Sequence, residues 1–159
     1  MLKHIGIIAL LGALFGVSEW FYSLRAVVYA LIALPYNPVY VYITWIVLPA
    51  VIVVYESVRT RRVLFAYLAA NVFLIMAVQL YYASYVFDLL FLNTNELLRD
   101  LHYETINWPS FIRFVRTDIG SKAAEWTLAS LALGFALGFL ALIIVALLKY
   151  IDRIRTAQR

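Results

Sequence analysis

The sequence predicts an all-α integral membrane protein, a four-transmembrane-helix bundle forming one transmembrane domain over residues 1–159, and three observations predict it. Hydrophobic residues make up 65% of the 159-residue chain and charged residues 14%, whereas about a quarter of a soluble domain is charged. The mean hydropathy is +0.89. Four segments stay apolar for the ~20 residues that a helix rising ~1.5 Å per residue needs to cross a hydrocarbon core of ~30 Å. The basic residues gather beside alternate segments.

The first span begins at Ile5. Lys3-His4 followed by Ile5 to Val17 resembles a secretory signal, but no small-x-small cleavage site precedes Glu19-Trp20, so the segment is expected to remain as an anchor. Its end is open at this level: the helix stops near residue 24, or it continues to Leu34, where Pro35-Tyr36-Asn37-Pro38 forces a break. The second span covers 39–57, the third 63–92 and the fourth 121–148. Tyr36, Tyr40, Tyr42 and Trp45 suit an aromatic belt at one membrane interface.

Charge gives the direction. Lys3, the link residues Arg59, Arg61 and Arg62, and the tail residues Lys149, Arg153, Arg155 and Arg159 all fall on one side of a chain that crosses four times. On the other side, Arg99, Arg113 and Arg116 are offset by Glu96, Asp100, Glu104 and Asp118. The positive-inside rule then predicts cytoplasmic N and C termini and an outer loop at 93–120. Within that loop, Asn93-Thr94-Asn95-Glu96 resembles a capping box, and Trp108, Phe111, Ile112 and Val115 form an apolar stripe after Asn107 and Pro109. Short amphipathic helices are expected there, lying on the membrane surface or packed as a lid.

Several chemistries are excluded by residue type. The chain has no cysteine, which removes disulfides, thiolate metal sites and cysteine nucleophiles. Phosphate-binding loops, dinucleotide fingerprints and zinc-protease His pairs are absent. The two histidines, His4 and His102, lie at opposite ends, so they do not frame a haem within the bundle; His102 between Asp100 and Glu104 is only a faint metal motif. A net charge of +4 carried in short flanks beside apolar runs points to anionic lipid and not to nucleic acid.

The polar residues within the spans are the candidate site. Gly12 and Gly16 form one GxxxG stripe and Gly134 and Gly138 another, faces along which helix backbones approach closely. Glu19 falls on the first stripe, about 20 Å from the start of its span, at a height shared by Thr44, Gln79, Thr127 and Ser130. A buried carboxylate is either interhelical glue or a proton or ion site, because an unpaired charge at that depth costs roughly 2.5 to 3.5 kcal/mol. Arg25 lies higher, level with Asp88, and an Arg25–Asp88 interfacial ion pair is expected.

These readings support a non-catalytic accessory or scaffold subunit of a larger membrane complex or homo-oligomer, with the plasma membrane as its location in a prokaryotic source. A transporter or channel component using Glu19 as its ion site is the alternative, and a small lipid- or quinone-acting enzyme the third. No cofactor is expected beyond bound lipid, and the expected partners are membrane lipids and other membrane subunits.

Overall fold

The computed structural model describes residues 2–30, 38–92 and 108–158, with the side chains of 2, 23–30, 38–42, 89 and 92 outside that description. The described residues are all-helical, and four of the helices are long and apolar enough to cross a membrane. Helix α1 is Leu2–Ala30, α2 is Pro38–Thr60 and α3 is Val63–Phe87, which widens into a π-helical turn over Asp88–Leu92. A short helix α4, Trp108–Phe114, runs through a second π-helical turn, Val115–Ile119, into α5, Gly120–Ala157.

Two of these bounds bear on the sequence reading. The first helix continues past residue 24 to Ala30, as its unbroken apolar run allows. The short helix expected after Asn107 is present as Trp108–Phe114, and it runs on through Val115–Ile119 into the fourth long helix, which starts at Gly120 beside the expected Ser121. No glycine, proline or capping side chain interrupts Phe114 to Ser121 except Gly120, which sits at right-handed φ and lets the helix pass. The capping-box helix expected after Asn93 lies outside the described residues.

A tight corner joins α2 to α3. Arg61 takes φ 55°, the left-handed conformation that ends a helix, and its N–H donates to the Ser57 carbonyl at 3.0 Å. Thr60 Oγ1 donates to the Glu56 carbonyl at 2.7 Å, so the last turn of α2 keeps its acceptor satisfied.

Helix α3 is the hub, packed by α1, α2 and α5. In a bilayer, whose lipid tails are as apolar as leucine, association of such helices would depend on close fit more than on hydrophobic burial. The glycines supply that fit. A Cβ on Gly12 would fall on the Phe73 carbonyl oxygen, and one on Gly16 on that of Ala77. Rising residue numbers on both helices make α1 and α3 parallel. On the other side a Cβ on Gly134 would strike the Asn71 carboxamide, while one on Gly138 would lie 3.2 Å from the Tyr67 ring; falling numbers on α3 make α5 antiparallel to it. At ~100° per residue, the pair Phe73 and Ala77 lies about 120° around α3 from Tyr67 and Asn71. Both GxxxG stripes are therefore used inside one subunit, against different faces of the same helix.

Small residues let α2 join them. Ala66, Ala70 and Ala141 are fully buried with Val53 in one cluster, and Ile8, Ala69, Phe73 and Leu74 form the second. Outward-facing residues such as Leu10, Leu14, Leu128 and Phe135 are apolar and exposed.

Gly12→Leu and Gly16→Leu should each lower resistance to unfolding in detergent by about 1–3 kcal/mol or more, because the added side chain meets backbone that cannot rotate away. Gly6→Ala is the control, since nothing lies within 4 Å of its Cβ position. It should leave stability unchanged or raise it by up to about 1 kcal/mol through helix propensity.

Candidate functional site

The five polar residues expected at one level do not form one cluster. They form two ties between different helix pairs. Thr44 Oγ1 on α2 donates to Glu19 Oε1 on α1 at 3.0 Å, and the Trp45 side chain lies near this carboxylate. Gln79 Nε2 on α3 donates to Thr127 Oγ1 on α5 at 3.1 Å, while Thr127 in turn donates to the Ala123 carbonyl at 2.6 Å. Ser130 is buried one turn further along α5. The separation follows from the hub: α1 and α5 seat on faces of α3 about 120° apart, so Glu19 meets Thr44 and not Thr127, Ser130 or Gln79.

Glu19 faces protein, as its place one turn after Gly16 implies. Its local chemistry comes from α2, where buried Pro49 lacks the N–H that would bond the Trp45 carbonyl one turn earlier. Trp45 also departs from its expected belt position. Its ring packs edge-on against Phe15 at 5.1 Å and tilted against Trp126 at 6.5 Å, joining α1, α2 and α5. Phe15 stacks on Phe73 at 5.6 Å. The second carboxylate oxygen, Glu19 Oε2, is buried and accepts no hydrogen bond from the described residues, and the neighbouring Trp20 indole N–H is likewise buried without an acceptor among them.

Asp88 is fully buried at the first position of its π-helical turn. The side chain of Arg25, its expected ion-pair partner, lies outside the described residues, as do Asp100, His102 and Glu104. Among the described residues no group of three or more His, Cys, Asp or Glu side chains is placed to hold a metal.

A second acidic centre, Glu56, was not singled out by sequence reasoning. It is 2% exposed near the end of α2. Its Oε1 lies 2.6 Å from His4 Nε2 on α1, and its Oε2 accepts from Arg59 Nη2 at 2.8 Å and Nε at 3.2 Å. His4 also stacks on Tyr55 at 6.1 Å. The available signal was Glu56-x-x-Arg59, an i,i+3 pair beside an apolar run; nothing in the sequence showed that His4 would come to the same end. Asn71 is also buried, donating to the Tyr67 carbonyl at 2.8 Å with its carboxamide filling the hollow above Gly134.

No family model, no curated protein and no solved structure matches the chain.

Double-mutant cycles in detergent or bicelles should give a coupling of roughly 0.5–1.7 kcal/mol for Glu19/Thr44 and for Gln79/Thr127. The cross-cycle Glu19/Thr127 should be additive within about 0.3–0.5 kcal/mol. For Glu56→Ala, hydrogen exchange in the first turns of α1 should quicken about tenfold or more as the tie to His4 is lost, with the Glu19 end unchanged.

Proposed function

We propose that the chain is a non-catalytic, multi-pass membrane protein that acts as an accessory or scaffold subunit, assembling with other membrane subunits or with copies of itself. The observation that carries this reading is the use of polar side chains as ties between helices. Glu19 joins α1 to α2 in one half of the bundle, Glu56 joins the same two helices at the other end, and Gln79 joins α3 to α5. Such an arrangement rigidifies a bundle, and it leaves the apolar outer faces for lipid or partner.

The orientation follows from charge. His4–Glu56 and Arg61–Asp152, 2.9 Å, bring the start of α1, the α2–α3 corner and the end of α5 to one end of the bundle. Lys3, Arg59, Arg61, Arg62, Lys149, Arg153 and Arg155 gather there, which supports placing that end in the cytoplasm.

One observation favours a second reading. The buried, unbonded Oε2 of Glu19 beside the unbonded Trp20 indole is also what a proton or cation site would offer in a transporter or channel component.

Extraction in mild detergent followed by native mass spectrometry should show a stoichiometric complex with another membrane protein or a homo-oligomer; a chain that is monomeric under every gentle condition contradicts the scaffold reading. Reconstituted in liposomes, the protein should carry no proton or alkali-cation flux, with or without Glu19→Gln. A flux that Glu19→Gln abolishes would establish the second reading in its place.

A further inference from the structure

Between α3 and α5, in the half of the bundle nearer the basic end, lies an apolar groove of about 460 Å³. Leu64 and Tyr67 form one wall, Phe135, Phe139 and Leu142 the other, and Gly138 the floor. It exists because Gly138 has no side chain and the Tyr67 ring leans toward the space, 3.2 Å from where a Cβ would be. Leu64, Phe135, Phe139 and Leu142 are 54–64% exposed, so the groove opens sideways toward lipid.

Its lower end is basic. Leu142 and Lys149 are seven residues apart, about 10 Å along α5 and within about 20° around it, and Arg153 falls within about 20° on the other side. Val63, which also lines the groove, directly follows Arg62. Arg62, Lys149 and Arg153 are exposed, and among the described residues none of them has a salt-bridge partner, whereas the neighbouring Arg61 is held by Asp152. The Arg62 guanidinium lies 5.8 Å from the Phe65 ring centre, close to the α3 wall.

We propose that this groove is a binding site for an anionic phospholipid, one acyl chain lying along Gly138 between α3 and α5 and the headgroup phosphate meeting Arg62, Lys149 and Arg153. The occupant follows from charge complementarity. A wholly apolar channel takes a hydrocarbon chain, and three unpaired cations at the level where that chain meets water take its anionic head. A zwitterionic lipid leaves that charge unmatched, and a second copy of this chain would bring its own basic end against it. The site requires only that the bundle lie in a membrane, so it stands or falls apart from the scaffold reading.

The test is native mass spectrometry of the full chain from nanodiscs of equimolar phosphatidylglycerol and phosphatidylcholine. The wild-type protein should retain phosphatidylglycerol selectively. Neutralising Arg62, Lys149 and Arg153 to Gln should weaken that retention by about fivefold per residue. Arg155→Gln, on the opposite side of α5, should leave it unchanged. Leu142→Trp, at an exposed position that tolerates bulk, should fill the groove and release bound lipid even with the basic residues intact. Equal retention of both lipids overturns the proposal, as does an Arg155→Gln effect equal to that of each of the three, or retention indifferent to Leu142→Trp. Intermolecular cross-linking through Leu142→Cys, in a chain with no other cysteine, would also overturn it and assign the face to a second copy.

Discussion

The structure depends on the backbone-close seating of α1 on α3 at Gly12–Phe73 and Gly16–Ala77. In a bilayer, a helix gains little by hiding apolar surface from lipid that is equally apolar. Contact must be closer than lipid can make it, and glycine at two successive turns allows that. Once α1 lies in this register, His4 reaches Glu56 and Glu19 reaches Thr44, because both partners sit on α2 beside the same hub. The polar ties are consequences of the seating, and they lock it: a slip of one turn would part Glu19 from Thr44 and Glu56 from His4.

The same logic divides the bundle's polar groups by partner and not by depth. Helix α5 uses its own glycine stripe on the opposite flank of α3, where Asn71 and Tyr67 fill the hollows above Gly134 and Gly138. At Gly138, where a Cβ would lie 3.2 Å from the Tyr67 ring, the fit is looser than the backbone contacts of Gly12 and Gly16 on α1. The looser fit leaves open space beside Gly138, and that space is the groove.

Much of this was legible in the sequence. Apolar length located the four helices, the basic flanks identified which ends would meet, and the i,i+4 glycines marked the close-packing faces of the first and fourth spans. Glu19 facing protein followed from its angle to Gly16. What a sequence pattern cannot supply is which neighbour a face meets. Height along a helix suggested a Glu19–Thr127–Ser130–Gln79 cluster, but angle around α3 divides it, and that angle is a property of three helices together. Glu56 was missed for the same reason: it reads as an interfacial acid until His4, 52 residues away, is brought against it. The short helix after Asn107 was legible from its apolar stripe, but its continuation through 115–119 into the fourth helix was not, because Arg116, Thr117 and Asp118 carry no such stripe.

The most direct test of the arrangement uses the absence of native cysteine. Single cysteine pairs at Ile8/Ala69 and Ala66/Leu137 join residues of one core cluster each, while Ile8/Val145 crosses between the two faces of α3. With a short bifunctional reagent in native membranes, the first two pairs should cross-link efficiently within one chain and the third should not. Efficient Ile8/Val145 cross-linking, with Ile8/Ala69 silent, would place α1 against α5 and contradict α3 as the hub.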